Sequence, residues 1–260
     1  MNKMRLFLLC VMAACCTLQA GAAELLWELH PGKKRVLVDK PKGVKVRFID
    51  RKCAEIRDGR ICTGEQVRLQ WNQIGRCVSM DEPCSMVVRM KADWESSGSR
   101  WPVMFSMGES IEYNIKASAD KETDFYAVDR ENYSWQEDDQ EFKGKLREPA
   151  MLTFILYCNG RGGYILSVDG DEVATLKIDD EYVRDDRKVQ WFSLGGRLIQ
   201  DNNLCPVEVE YIRFYKGKVD EMSLFMTDNG IWVYTGIGVL ALLAAGLLAW
   251  LVARRRKKSS

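Results

Sequence analysis

Apolar and polar residues alternate in twos along much of the chain. Val44, Val46 and Phe48 are interleaved with Lys45 and Arg47, and Val67, Leu69 and Trp71 with Arg68 and Gln70, the period of a strand with one wet face. More continuously apolar runs follow: MVVRM at 86–90, VMFSM at 103–107, LTFILY at 152–157 and YILSV at 164–168. These read as inner strands. YILSV, then Asp169-Gly170, then DEVATLKI sets two strand-like runs around a pair suited to a type I′ hairpin. No segment from 23 to 229 carries a convincing amphipathic helical stripe. Many short strands with turns at short intervals predict an all-β sandwich or jelly roll.

Two stretches break this pattern. From Ile231 to Val252 the chain runs 22 residues without a charge, enough at a rise of ~1.5 Å each to cross ~30 Å of hydrocarbon. Arg254, Arg255, Arg256, Lys257 and Lys258 follow, and Trp232, Tyr234 and Trp250 flank the run, so the pattern predicts a transmembrane helix at 230–252 with a basic cytoplasmic tail at 253–260. At the other end, Lys3 and Arg5 precede LFLLCVMAACC, and Ala20-Gly21-Ala22 offers small residues for cleavage. This reads as a signal peptide at 1–22, with acylation at Cys15 or Cys16 the minor alternative. No LPxTG-like or Pro-Glu-Pro motif precedes Ile231, so the helix is expected to stay. Ala241, Ala245 and Ala249 leave a smooth helical stripe that would permit self-association, although lipid-facing filler is the simpler account.

What remains, 23–229, has the size of one domain and no linker composition or internal repeat. It holds 31 basic and 37 acidic residues, a net charge of −6, which argues against nucleic acid as the partner. Of nine cysteines, six fall in it: Cys53, Cys62, Cys77, Cys84, Cys158 and Cys205. An even six in an exported domain suggests three disulfides, with fifteen pairings open. Cys53 and Cys62 flank the Asp58-Gly59 turn and Cys77 and Cys84 flank SMDEP, which favours local pairs and leaves Cys158 with Cys205. Zinc is the rival, weakened by the lack of any C-x-x-C spacing and the distance of the lone His30.

SMVVRMKADW, WPVMFSMGES, LTFILYCNGRGGYILSVDGDEVATL, WFSLGGR and VEVEYIRFYKGKVDEMSL resemble, in order, the strands of a laminin G-like domain of the concanavalin A-like lectin and glucanase superfamily, over about 85–225. The resemblance implies a concanavalin A-like jelly-roll sandwich of two antiparallel sheets, with the transmembrane helix appended to form a single-pass membrane protein. Such folds host lectins, glycosidases and spacers alike. Glucanases of this fold carry Glu-x-Asp-x-x-Glu, two carboxylates ~5.5 Å apart across the scissile bond, and no such motif occurs. Asp169, Asp171 and Glu172 read as a turn, and Glu208 and Glu210 as a solvated strand face. GRGG at 160–163 reads as a bend, not a phosphate loop.

The stretch from Glu109 to Glu141 is rich in acids and aromatics. Asp129, Tyr133, Trp135, Asp138 and Asp139 are the ligand or calcium candidates there, weighed against an ordinary solvated acidic loop; the sequon at Asn132 marks it as exposed. The expectation is a membrane-anchored, non-catalytic extracytoplasmic binding or adhesion module for a glycan or cell-surface protein, with no cofactor unless calcium. A cryptic carbohydrate-active enzyme relying on Glu208 and Glu210, or an envelope spacer, are the alternatives.

Overall fold

Two-residue periodicity becomes sixteen strands among the described residues of a computed structural model. It describes residues 24–32, 36–40, 47–48, 54–63, 67–70, 82–93, 103–108, 111–117, 123–129, 135–136, 150–177, 191–196, 204–221, 223–225, 228–229, 236 and 246. The chain divides into two units, Glu24–Val219, and Met1–Ala23 together with Asp220–Ser260. In the second unit Asp220 caps a helical turn: its carbonyl accepts from the Leu224 N–H at 3.0 Å and its carboxylate from the Ser223 N–H at 2.7 Å.

All strands lie in Glu24–Val219. β7 (Cys84–Ala92) is central to one sheet, between β12 (Leu152–Cys158) and β16 (Val207–Lys216). Beyond β12 come β13 (Gly163–Val168) and the edge strand β14 (Asp171–Lys177); beyond β16 come β1 (Leu25–Pro31) and β2 (Val36–Lys40). β5 (Arg60–Thr63) also pairs with β16 and carries β4 (Ala54–Arg57). The second sheet runs β11 (Trp135–Gln136), β10 (Thr123–Asp129), β9 (Ile111–Ala117), β8 (Val103–Gly108), β15 (Trp191–Leu194), β6 (Val67–Gln70), β3 (Arg47–Phe48). Every pairing between described strands is antiparallel, as a jelly-roll sandwich requires.

One face of the first sheet builds the core. Met86, Val88 and Met90 of β7 stand opposite Leu156, Phe154 and Leu152, and these meet Leu166 and Val168 of β13, all buried. On the other side Trp27 of β1 is fully buried edge-to-face against Phe214, with ring centroids 5.6 Å apart. Two hairpins are as tight as their turn residues imply. Asp169 and Gly170 have φ of 45° and 84°, and Asp58 and Gly59 have 52° and 72°, the doubly left-handed backbone of a type I′ turn.

Several expectations are corrected. The acidic stretch after Glu109 is not simply a loop, since β9, β10 and β11 run through it in register. Among the described residues no helix is long and apolar enough to cross a membrane. The fold class that the described residues show is therefore the all-β sandwich alone, and the expected helix at 230–252 is not among them. Within 231–252 only Gly236 and Gly246 are described; the signal-peptide segment 1–22 and the basic cluster Arg254–Lys258 lie outside the described residues.

The cysteines are also arranged differently. Cys84 and Cys158 face each other directly across β7 and β12, while Cys205 lies just before Val207, which pairs with Ala92 at the far end of β7. Eight steps of ~3.3 Å separate those ends, roughly 26 Å, far beyond the ~7 Å limit for a disulfide; Cys158 does not reach Cys205. Cys62 pairs opposite Glu208 and Cys84 opposite Lys216, at opposite ends of β16, so the two do not share a zinc ion. Cys53 and Cys77 lie outside the described residues.

Replacing Trp27 with alanine deletes the largest fully buried side chain, and urea unfolding is expected to record a loss of about 3–5 kcal/mol. Opposed antiparallel Cα atoms sit ~4.5–5.5 Å apart, within disulfide range, so non-reducing peptide mapping of air-oxidised protein is expected to return Cys84 linked to Cys158. As thiols, Cys84 is pushed far up by its hydrogen bond with Cys158 and by burial, and Cys205 is pushed up to about 12 by burial and then by Asp93. Fully reduced native protein should therefore resist iodoacetamide at both positions at pH 8 and react once unfolded.

Candidate functional site

Where β12, β13 and β14 meet at one end of the first sheet, the chain leaves an open cavity of about 330 Å³. Alternation explains its lining. Leu156, Cys158, Tyr164 and Leu176 point into the core and are buried, while the half-buried Tyr157, Ile165 and Thr175 alternate with them, and Tyr157 stands opposite Ile165, which stands opposite Thr175. A tyrosine ring, an isoleucine and a threonine thus form a row across three strands. Lys177 at the exposed end of β14 and Arg161 in the β12–β13 bend complete the rim.

Two clamps hold the rim. In the bend, the Asn159 side-chain oxygen accepts from the N–H groups of Arg161 at 2.7 Å and Gly163 at 3.0 Å, and the Asn159 N–H donates to the Gly163 carbonyl at 2.9 Å. Gly160 and Gly162 both have φ of 77°, a conformation that favours glycine, and a Cβ on Gly163 would collide with the Asn159 amide nitrogen. The second clamp is Ser85, fully buried in β7 opposite Tyr157. Its hydroxyl donates to the Gly217 carbonyl at 2.7 Å and accepts from the Val219 N–H at 3.1 Å. The residue held between those two bonds is Lys218, whose ammonium lies 5.6 Å from the centre of the Tyr157 ring, within cation–π range.

The other charged cluster on this sheet is closed. A bulge between Val209 and Tyr211 brings Glu208 and Glu210 together, and cations saturate both. Arg60 Nη1 donates to Glu208 at 2.9 Å, Arg89 Nε to Glu210 at 2.8 Å and Arg89 Nη1 to the Thr153 hydroxyl at 2.8 Å. Arg60 also reaches Glu210 at 3.5 Å and Lys91 reaches Glu208 at 3.8 Å. The hydrogen bond to Glu208 holds the Arg60 guanidinium above its ordinary range. Carboxylates spent on three cations are not a free acid and nucleophile. Asp169 is structural too, its carboxylate accepting from the Thr153 N–H at 2.8 Å.

The sequence candidates fall elsewhere. Asp129 ends β10 and Trp135 begins β11 opposite Val128, while Tyr133, Asp138 and Asp139, and the side chains of Asp129 and Trp135, lie outside the described residues. Among the described residues no three of His, Cys, Asp or Glu are grouped to hold a metal. His30 sits in β1, its ring nitrogen 3.2 Å from the Pro31 carbonyl. Sequence reasoning missed the cavity: Tyr157 looked like core in LTFILY, and only register reveals that it alternates away from it.

No protein-family model and no curated protein matches the chain. Its fold does match solved structures. The botulinum neurotoxin serotype D binding domain aligns with a TM-score of 0.56 at 12% identity over 80% of this chain and 51% of that one. The botulinum neurotoxin DC binding domain aligns at 0.59, in complex with rat synaptotagmin II (12% identity; 79% and 51% covered) and with SialylT (11%; 80% and 51%). The chain thus spans about half the length of the structures it matches. The fold this likeness shows is an all-β jelly-roll sandwich. That corrects the resemblance to a laminin G-like domain on a single-pass membrane protein: the matched structures are binding domains, and among the described residues no helix is long and apolar enough to support the expected membrane location and cytoplasmic tail. Its one paired-carboxylate candidate, Glu208 with Glu210, is neutralised by cations, and the solved structures it resembles are binding domains.

Substituting Ser85 with alanine removes the acceptor of the buried Val219 N–H and the donor to Gly217. The expected loss is about 1–3 kcal/mol in denaturant unfolding, with faster amide exchange at Val219.

Proposed function

We propose that the chain is a non-catalytic binding module that holds a glycan or protein ligand at the cavity between β12, β13 and β14. The observation that carries this reading is the half-buried Tyr157 ring set in a concave site beside Arg161 and Lys177. Ligand sites of about 300–1,000 Å³ combine apolar or aromatic walls with a few placed polar groups, and the cavity has that composition. The two complexes of the botulinum neurotoxin DC binding domain, one with a protein and one with SialylT, support both ligand classes. Membrane attachment has no part in the proposal.

The test is to screen the full chain against a glycan array and a panel of cell-surface proteins, with calcium and with EDTA. Binding to at least one class is expected, weakened about tenfold by Tyr157→Ala with secondary structure and thermal midpoint retained. No binding to either class would leave a structural spacer as the function, and binding indifferent to Tyr157→Ala would overturn this cavity as the site.

A further inference from the structure

Resting on that reading, we infer that the unit this cavity takes is an acidic sugar whose carboxylate is held by Arg161 and Lys177, with Tyr157 beneath the ring. Three observations converge. The first is electrostatic. Residues 23–229 are net acidic at −6, yet among the described residues no carboxylate lines the cavity. Elsewhere on the sheet three arginines are matched: Arg60 with Glu208, Arg89 with Glu210, Arg213 with Glu28 at 2.6 Å. Among the described residues no carboxylate pairs with Arg161, Lys177 or Lys218; the first two line the cavity and the third lies over the Tyr157 ring. Two cations lining one concavity, with a third on its aromatic wall, make an anion site in an acidic domain.

The second concerns donors and acceptors. The Asn159 oxygen is consumed by two backbone N–H groups, so its orientation is set and its NH₂ is what remains for a ligand. Arg161 and Lys177 only donate, and the Tyr157 and Thr175 hydroxyls do both. Such a rim suits a ligand rich in oxygen acceptors. The guanidinium adds a planar fork that matches a carboxylate bidentately, and it stands on a bend fixed on both sides by left-handed glycines, so little ordering remains to be done on binding.

The third is shape. Tyr157 and Ile165 are adjacent across β12 and β13 and both half-buried, a flat apolar patch against which the C–H face of a pyranose can lie. A bare phosphate would leave that patch uncovered. At about 330 Å³ the cavity is at the small end of ligand sites, which points to a terminal sugar unit, not the middle of a long polymer.

The full chain would be titrated, with ligand-observed NMR and calorimetry, against the methyl glycoside of N-acetylneuraminic acid, methyl glucuronide, methyl galactoside, a hexaglutamate peptide and inorganic phosphate. Expected is at least tenfold preference for the two carboxylated sugars over methyl galactoside, lost in high salt. Arg161→Ala and Lys177→Ala are each expected to weaken the acidic sugars about tenfold at unchanged thermal midpoint, with Arg161→Lys recovering only part. Equal binding of methyl galactoside, unaffected by Arg161→Ala, would overturn the acidic-sugar inference and leave the binding-module reading standing. So would hexaglutamate or phosphate binding as tightly as the sugars, or a protein ligand that depends on Tyr157 while no sugar binds. Silence here and in the array and protein screens would overturn both.

Discussion

The register of β7 is the constraint on which the first sheet depends. It hydrogen-bonds to β12 on one side and β16 on the other, joining segments that lie more than sixty residues apart along the chain. A slip by one residue would turn Met86, Val88 and Met90 out of the core and Arg89 and Lys91 into it. The cost of burying those cations unpaired locks the register. Its consequences run to both ends of the strand. At Ala92 it lines up β16 and β5, so that Arg60, Arg89 and Lys91 converge on Glu208 and Glu210. At Cys84 it sets Ser85 opposite Tyr157 and ties the residues after β16 over that tyrosine.

The two ends are electrostatically unlike, and that difference separates structure from function. Exposed ion pairs contribute little to stability one by one, but a network with every member satisfied has no vacancy for a ligand. At the opposite end the cations are held in place by backbone clamps instead of carboxylates. Asn159 and Ser85 spend their polar atoms on the main chain, and the charged groups they position face outward unspent. A site built this way is preorganised by neutral hydrogen bonds, so salt weakens ligand capture while leaving the scaffold intact.

What was legible in the sequence was local. Asp58-Gly59 and Asp169-Gly170 could be read as tight turns because the backbone demand sits in two adjacent residues, and the runs at 86–90, 152–157 and 164–168 could be read as strands because continuous apolarity is a short-range signal. The alternation of Leu25, Trp27 and Leu29, which becomes β1, carries the same two-residue signal. Ile111, Tyr113 and Ile115 were obscured by the acid-rich composition around them, although Glu112 and Asn114 alternate with them. The cysteine pairing and the cavity were beyond reach, because both depend on which residue of β12 faces which residue of β7, and hydrophobicity is blind to parity where a strand is buried on both faces.

The same blindness explains why the carboxylates misdirected the search. Acids cluster visibly in a sequence, so Glu208 and Glu210 and the stretch around Asp129 drew the chemical hypotheses, while Arg161, Lys177 and Lys218 are scattered over 57 positions and form no motif. Folding reverses the ranking. The clustered glutamates meet cations brought from two other strands and are neutralised, while Arg161 and Lys177 come to one cavity and Lys218 to the tyrosine ring that lines it, with no carboxylate there among the described residues. In a domain of net charge −6, cations with no carboxylate partner among the described residues oppose the overall field, and they are held here by the exposed Asn159 clamp, the buried Ser85 clamp and two left-handed glycines. That investment in holding charge where the domain's own composition would not place it is what ties this end of the sheet to an anionic ligand.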